Sequence, residues 1–434
     1  MNFSKIPQIS KFSEIFQTKI LKLKKTQEFY ITSKAMKSSK SDVIKFPKAD
    51  VIHSALIIFT AILGIGFIIP FLPDFSKRIG GEKFVGLIFS GFAISRLIAV
   101  PTFAFLSDRY GRKVFIVLGL LVYSITSFLY VHAENFISLF LVRLIHGAAS
   151  SMIIPISFAY AMDKVPYGKE GFAAAILGGS LLLGFGLGPS IGGALAKFYG
   201  ENVAFYSMGA AGIIAMMISL FLMKEPEKKK RASQPVIDEI KDIISSHIFI
   251  LSFLIWFIVM WQRGSIISYS PLLLENEGFD KVKIGSTLTA YAIISSVLQY
   301  SSARFVDKAK DKLSLSLIFC ISSAVPLALI YYANSPLIIF FVFMLSGALS
   351  AFSYPFLIAE IGKEAKRKNK VGGTIGFMDW AFSLGNILGP TSMGFIANKV
   401  GLKLSFLILG ITQFLAFTLI LTILKSKIQK NQEE

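Results

Sequence analysis

Charged side chains are scarce in this sequence, yet several lie inside its long apolar stretches. Only 16% of the 434 residues are charged, against a usual ~25%. Arg96, Arg143, Arg263 and Asp379 lie deep within apolar stretches, and Glu360 lies nearer to the end of one. A charge at mid-membrane costs roughly 2.5–3.5 kcal/mol, so such residues usually face a wet interior. They therefore predict a path for a solute or a proton. The alternative is a set of structural polar pairs, which we favour for Arg96 and Glu360.

Asp379, with Trp380 beside it, is the best candidate for a group that gains and loses a proton. A buried carboxyl group holds its proton, and a nearby arginine favours its release. A carboxyl group that exchanges partners between two states can therefore exchange its proton. A structural role for Asp379 remains the alternative.

Long apolar segments must position these residues. The chain is 54% hydrophobic with a mean hydropathy of +0.64, and ~20 apolar residues span a bilayer as a helix. Solid rather than alternating runs exclude a membrane barrel. The sequence predicts an all-α membrane protein with twelve spans, at about 51–73, 84–106, 114–132, 136–162, 172–197, 203–223, 248–274, 284–306, 313–332, 336–361, 372–397 and 402–424.

The distribution of lysine and arginine predicts the orientation. The two tails and the even-numbered connections hold 33 of the 45 Lys and Arg, and cytoplasmic loops carry such an excess. We expect both termini in the cytoplasm and a multi-pass protein of the cell membrane. The net charge of +19 follows from this bias, so no nucleic-acid partner is needed.

The remaining chemistry is sparse. Cys320 is the only cysteine, and the four histidines lack metal-ligand spacing. Neither a nucleophile–base set nor a phosphate-binding loop is visible, so we expect no metal, no cofactor and no enzyme activity.

The chain matches itself at an offset of about 200 residues. "AFLSDRYGRK" (104–113) aligns with "ARFVDKAKDK" (303–312), "GAASSMIIP" (147–155) with "GALSAFSYP" (347–355), and "GFGLGPSIGG" (184–193) with "GNILGPTSMG" (385–394). Two parallel six-helix repeats are a known transporter plan. We expect a basic cytoplasmic tail at 1–50, pseudo-symmetric bundles at 51–223 and 248–424, a cytoplasmic linker at 224–247 and a tail at 425–434.

The loop "AFLSDRYGRK" is similar to the Gly-x-Leu-x-Asp-Arg-x-Gly-Arg-Arg motif of the major facilitator superfamily, with Ala104 in place of the usual glycine. Gly111 permits a tight turn. The resemblance implies that Asp108 contacts the start of the eleventh helix, near Gly372, and Arg112 could pair with Asp163. We expect these contacts to form a conformational latch between the halves, whose residues are Asp108, Arg109, Gly111, Arg112, Lys113 and Asp163. The alternative is that they are topology charges only. The second copy has Lys310 in place of the glycine, so we expect a weaker latch there.

Two further motifs narrow the subfamily. "GFGLGPSIGG" resembles the Gly-x-x-x-Gly-Pro-x-x-Gly-Gly motif of antiporters, through Gly184, Gly188, Pro189, Gly192 and Gly193. Side-chain-free positions let another helix approach closely, so generic packing is the alternative. "LGIGFIIPFLPDF" (63–75) resembles a first-helix motif of the twelve-helix drug:proton antiporters, with Pro70 and Pro73 breaking the helix.

The resemblance also implies which residues line the central cavity. In this fold the first, fourth, seventh and tenth spans surround the substrate path. "RLIHGAAS" (143–150) is similar to the Arg-x-x-x-Gly stretch of proton-coupled members, with His146 where glutamine is common. The residues placed near the path are Arg143, His146, Trp256, Trp261, Gln262, Arg263 and Tyr354.

We therefore predict a monomeric secondary transporter working by alternating access, exporting a small amphiphilic compound in exchange for protons. An importer of a sugar or an organic anion is the first alternative. The sequence has three deep arginines and one deep acid, and this excess of positive charge favours an anionic substrate. A non-transporting membrane sensor or scaffold is the second. The N-terminal residues could form an amphipathic helix on the inner leaflet, a disordered basic tail, or an untranslated stretch before Met36.

Overall fold

A computed structural model describes residues 48–165, 170–225, 246–306, 309, 311–367 and 371–433. Most of the tail predicted at 1–50 and of the linker predicted at 224–247 lies outside these residues. So do Met36 and, in the second copy of the loop motif, Asp307 and Lys310.

The described residues form twelve long helices and contain no β-strand. Within the described residues, ten stretches are long and apolar enough to cross a membrane, and of the twelve described helices α8 and α11 are not among them. The helices are α1 Lys48–Ile68, α2 Val85–Tyr110, α3 Arg112–Leu129, α4 Phe136–Lys164, α5 Glu170–Phe198, α6 Glu201–Leu222, α7 His247–Asn276, α8 Lys281–Val306, α9 Lys312–Leu329, α10 Pro336–Arg367, α11 Val371–Val400 and α12 Leu402–Glu433.

Several helices end elsewhere than the sequence predicts, among them α1 and α12. The first span was expected at 51–73, but α1 ends at Ile68, and a short helix, Leu72–Ser76, follows a turn. Pro70 lacks a backbone N–H and Pro73 occupies the first turn of the short helix, so the chain turns where a helix would need those donors. At the other terminus, α12 continues to Glu433 rather than ending at residue 424. Residues 425–433 contain neither glycine nor proline, so no local signal ends the helix there.

Helix packing in α1–α6, the first half, is repeated in α7–α12, the second half. The α1–α5, α2–α4, α3–α4 and α3–α6 contacts of the first half correspond to α7–α11, α8–α10, α9–α10 and α9–α12 in the second. The halves meet through a second matched set, α2 with α11 and α5 with α8. The two halves are therefore pseudo-symmetric bundles.

The two ends of the helices define two faces. The terminal face is the end at which α1 begins and α12 ends, and the far face is the opposite end, where α1 ends and α2 begins. The core of the first half includes four fully buried aromatic side chains, Tyr123, Tyr130, Tyr160 and Phe205. Large apolar side chains such as Phe221, 72% exposed, and Leu337, 65% exposed, cover the outside, which suits a surface in contact with lipid.

Candidate functional site

An ion pair at mid-depth joins the two halves. Arg96 on α2 is buried, and its Nη2 lies 3.9 Å from Oδ1 of Asp379 on α11. Its Nη1 donates a hydrogen bond to Ser150 Oγ on α4 at 3.1 Å. The Asp379 side chain is 31% exposed, against 8% for Arg96. Asp379 is thus a deep carboxylate that water can reach beside a buried cation, an arrangement that suits proton exchange.

A second polar cluster lies inside the first half. Arg143 Nε donates to the carbonyl oxygen of Ile88 at 3.2 Å, and its Nη1 donates to the Tyr130 hydroxyl at 3.4 Å. The Tyr130 hydroxyl lies 2.9 Å from Nδ1 of His146. Since Tyr130 oxygen accepts from Arg143, we assign its own hydrogen to the His146 Nδ1 contact.

This cluster changes the expected position of His146. The motif placed His146 beside the substrate path, but its side chain is fully buried within the first half. The rings of Phe92 and Tyr123 meet it edge-on, with centroids at 5.3 and 5.1 Å. In this conformation aromatic side chains, including Tyr130, surround His146, and it does not line a path between the halves.

In the second half, Trp261 and Gln262 make contacts within their own bundle. Trp261 Nε1 donates to Ser392 Oγ on α11 at 2.9 Å. Gln262 is buried, and its amide donates to Ser323 and Ser346 at 3.5 and 3.4 Å. Both side chains therefore tie α7 to its neighbours.

Arg263 differs from them because it faces the first half. Its guanidinium carbon lies 5.5 Å from the ring centroid of Phe185 on α5. Tyr291 on α8 and Tyr354 on α10 lie in its neighbourhood. Tyr354 also packs against Trp256, with ring centroids 5.0 Å apart. Arg263 thus lies in an aromatic setting between the two halves.

Glu360 lies apart from the Arg96–Asp379 pair. It sits on α10 toward the terminal face, and its carboxylate is 3.8 Å from the ammonium of Lys363 one turn later. A local pair of this kind is the structural alternative that we favoured for Glu360.

The loop between α2 and α3 has the turn that the motif predicts. Gly111 adopts φ = +117°, a conformation that side chains resist. Arg112 Nε donates to Asp163 Oδ2 at 3.0 Å, which is the pairing expected from the sequence. Arg112 also pairs with Asp108 one turn earlier. In this conformation Asp108 therefore has a partner within its own loop, and the latch to α11 stays a prediction.

Two other loop residues, Lys113 and Arg109, make contacts of their own in this conformation. Lys113 Nζ donates to the carbonyl oxygen of Leu220 on α6 at 2.7 Å. The Arg109 guanidinium lies 5.6 Å from the ring centroid of Tyr110.

Sequence reasoning missed Glu225, which follows the end of α6. Its carboxylate accepts hydrogen bonds from the backbone N–H groups of Arg112 and Lys113, at 2.6 and 2.9 Å. Those groups form the first turn of α3, where unpaired donors and the helix dipole favour an anion. The available signal was an acidic residue directly before a strongly basic stretch, "KEPEKKKR" (224–231).

The glycines of the antiporter-like motif lie where helices approach closely. A Cβ at Gly184 would lie 2.9 Å from Ile62, and one at Gly188 would lie 2.8 Å from the backbone of Gly66. Gly192 faces the Phe67 backbone, so three of the glycines pack α5 against α1. Gly193 faces Lys281 of the second half. The motif therefore serves packing within and between the halves.

Comparison with known proteins agrees with this architecture. The family model described as Major Facilitator Superfamily matches residues 54–369 and 284–434. The chain belongs to the major facilitator superfamily. Its relatives in this superfamily are transporters rather than enzymes, and this chain is a transporter too.

Curated superfamily relatives are similar over most of their length. Multidrug resistance protein 2 of Bacillus subtilis is 29% identical over 369 residues, covering 81% of this chain and 90% of the relative. Quinolone resistance protein NorA of Staphylococcus aureus is 28% identical over 350 residues, covering 78% and 87%. An uncharacterised MFS-type transporter of Methanocaldococcus jannaschii is 28% identical over 350 residues, covering 79% and 90%.

Solved structures share the superfamily fold at low identity. A bacterial homologue of the human lysosomal transporter Spinster, in an inward-facing and occupied conformation, gives a TM-score of 0.75 at 14% identity, over 87% of this chain and 96% of that one. The human organic anion transporter MFSD10 gives a TM-score of 0.65 at 17% identity, over 86% and 99%.

In this superfamily member, polar contacts join the halves near the far face. Lys281 at the start of α8 pairs with Glu201 of α6 and lies 3.8 Å from Asp74. Lys197 Nζ donates to Asp280 Oδ2 at 2.8 Å. This hydrogen bond is the main cause of a lowered pKa of Asp280, together with the backbone N–H of Lys283.

Two matched glycine–proline contacts also close the far face. A Cβ at Gly86 on α2 would lie 2.6 Å from the carbonyl carbon of Pro390 on α11. A Cβ at Gly285 on α8 would lie 3.0 Å from the carbonyl carbon of Pro189 on α5. Since the repeat aligns Pro189 with Pro390, the same approach occurs twice, once on each side of the pseudo-symmetry.

Proposed function

We propose that this transporter exports small amphiphilic compounds in exchange for protons, by alternating access. The bundles at 51–223 and 248–424 move relative to each other around a site between them. The terminal face lies in the cytoplasm, as the excess of Lys and Arg there indicates, and a monomer embedded in the cell membrane suffices.

The observation that carries this proposal is the Arg96–Asp379 contact between the halves. Protonation of Asp379 removes the attraction to Arg96, which weakens a contact between moving parts. Loss of the proton restores the attraction. Proton binding and helix movement are thus linked through one carboxylate, as coupling requires.

The energy available fits an uphill export. One charge crossing 100 mV supplies about 2.3 kcal/mol. Tenfold accumulation requires about 1.4 kcal/mol, so one proton supports a substrate gradient of about one and a half decades.

We infer that the described conformation opens toward the cytoplasm. The far-face contacts of Lys281 and of Gly86 hold the halves together at the other end. The latch between Asp108 and α11 would then form when the halves close at the terminal face. This explains why Asp108 and Arg112 pair within their own loop here.

The drug-like substrate class comes from the relatives. Multidrug resistance protein 2 and Quinolone resistance protein NorA carry names that refer to drugs. Their similarity covers about four fifths of this chain, so an amphiphilic drug-like compound is the substrate that we propose.

Proteoliposomes with an imposed pH gradient test the proposal. A quinolone and ethidium are added, and internal pH and solute content are followed together. Wild-type protein should move protons against solute, whereas Asp379→Asn should lose coupling. Glu277→Gln is the matched control, because Glu277 pairs with Lys403 at the far face, 2.8 Å away.

Three results would contradict the proposal. Coupled transport by Asp379→Asn at the wild-type rate would remove the carboxylate from the mechanism. Protons and solute entering in the same direction would identify an importer. An absence of both fluxes would favour a membrane sensor.

A further inference from the structure

We propose that Arg263 binds a negative charge on the transported compound, which makes the substrate an aromatic amphiphile carrying a carboxylate or a similar anionic group. The inference rests on the proposed function, because it assigns a residue and a substrate class to the same transport site.

The three deep arginines differ in what they contact. Arg96 has a carboxylate, Asp379, within ion-pair distance. Arg143 donates hydrogen bonds to a backbone carbonyl and to Tyr130. Arg263 has no ion pair or hydrogen bond to any described residue, and its contact is the face of Phe185. Of these three cations, it is the one that the described protein leaves without an anion or an acceptor.

A deep cation without such a partner is expensive. Insertion into a membrane interior costs a charged side chain several kcal/mol unless water or a partner compensates it. Arg263 lies near the middle of α7, and Phe185 lies near the middle of α5. A ring face compensates only part of the charge and accepts none of the five N–H groups. The free N–H groups therefore fit an anion that arrives with the substrate.

The guanidinium geometry selects the kind of anion. A planar fork of N–H donors matches a carboxylate with two parallel hydrogen bonds. Arg263 provides that fork at a position between the halves, since it belongs to α7 and contacts Phe185 of α5. A ligand held there touches both moving parts.

The neighbours of Arg263 select the rest of the ligand. Tyr291 and Tyr354 lie in the neighbourhood of the guanidinium, and Trp256 packs on Tyr354. Aromatic rings of this kind favour offset stacking or edge-on contact with a flat apolar ring. The site therefore fits a compound that joins an aromatic body to one anionic group.

Binding of a matched pair of probes tests this. The probes are nalidixate, an aromatic carboxylate, and its methyl ester, which has the same ring system without the charge. Isothermal titration calorimetry is done on the full chain in phosphatidylcholine nanodiscs, without any gradient. Wild-type protein should bind nalidixate at least about tenfold more tightly than the ester, equivalent to about 1.4 kcal/mol.

The variants separate charge from general damage. Arg263→Gln should weaken nalidixate binding about tenfold and change ester binding less than about twofold. Arg263→Lys keeps the charge without the fork, so it should retain part of the preference. Lys403→Gln removes a cation at the far face and should bind both probes as the wild type does.

Each contrary result has a clear meaning. Equal binding of acid and ester by the wild type, including no binding of either, would overturn the proposal. So would an unchanged preference in Arg263→Gln. If phosphatidylglycerol added to the nanodiscs at constant ionic strength abolishes nalidixate binding, the anion is a lipid head group, and the substrate assignment is overturned.

The test is independent of proton coupling. Equilibrium binding uses no pH gradient, so a failure of the Asp379 experiment leaves the binding result interpretable. Conversely, a loss of the acid preference leaves the measured coupling unaffected.

Discussion

Gly86→Ala tests whether the glycine–proline contacts hold the far face closed. The new Cβ would lie 2.6 Å from the carbonyl carbon of Pro390 and closer still to its oxygen. Carbon atoms in contact sit about 3.5–4.0 Å apart, so α2 and α11 would have to separate by about 1 Å. Pro390 offers backbone rather than a flexible side chain, so it cannot rotate away.

The expected size follows from the cost of overpacking. Extra methyl groups in a packed interior cost about 1–3 kcal/mol. If that cost applies only to the conformation with the far face closed, the equilibrium between conformations shifts by a factor of about 5 to 150. A minor conformation would then become readily detectable.

Spin labels at Lys83→Cys and Val400→Cys report the change. Lys83 and Val400 are both exposed, and the Lys83 carbonyl accepts a hydrogen bond from Asn398, which joins the halves. The native Cys320 is fully buried and should not react with the label. Double electron–electron resonance should show a longer distance component in Gly86→Ala.

Gly178→Ala is the matched control, because no neighbouring atom lies within 4 Å of a Cβ there. It should leave the distance distribution unchanged and the stability equal or slightly higher, since alanine is the better helix former. A wild-type distribution in Gly86→Ala, with unchanged transport, would refute the reasoning.

Three further substitutions test other contacts. Glu225→Gln should lower the unfolding free energy by about 0.3–1 kcal/mol, because a neutral amide interacts less favourably with a helix N-terminus than a carboxylate does; denaturant titration in micelles measures it. Tyr130→Phe should lower it by about 1–3 kcal/mol, because Nδ1 of His146 loses its donor in a buried site. Asp280→Asn should lower the midpoint of thermal unfolding only where Asp280 is ionised. Because Lys197 lowers the pKa of Asp280 in the folded state, the stabilisation is complete above the ordinary value of 3.8 and is lost as the pH falls through the lower folded-state value.

The Glu225 and Tyr130 substitutions have control variants, and the Asp280 substitution is checked by its pH dependence. Glu134→Gln alters an exposed loop carboxylate and Tyr206→Phe alters a half-exposed tyrosine, so both should be neutral. Equal effects of each tested change and its control would contradict the hydrogen-bond arguments. A difference between wild type and Asp280→Asn that persists at pH values far below 3.8 would show that the Lys197 contact is not electrostatic.

Helix number and pseudo-symmetry were predictable from the sequence, because both follow from local pattern. Backbone groups in a bilayer must bond within their own segment, so long apolar runs become helices. The apolar runs at 284–306 and 372–397 correspond to α8 and α11 of the structure. Proline at positions 70 and 73 predicted a break, although the helix ends before the first of them, at Ile68.

The pairing of side chains from different helices was less predictable. The loop motif indicated the Arg112–Asp163 contact, since both residues belong to one bundle. The Arg96–Asp379 contact depends on how α2 and α11 meet, which no local pattern encodes. His146 is buried against Tyr130, which lies sixteen residues earlier in the chain. The packing of α3 on α4 brings Tyr130 to His146 and to Arg143.

The two glycine–proline contacts have a mechanical consequence. A rigid body held at one point can turn about any axis through it, but a body held at two points can turn only about the line that joins them. If the polar contacts between the halves break during transport while Gly86 stays against Pro390 and Gly285 against Pro189, the bundles turn about the line that joins these two contacts. Damage to one contact should therefore broaden the range of tilt directions, while damage to both should let the halves drift apart.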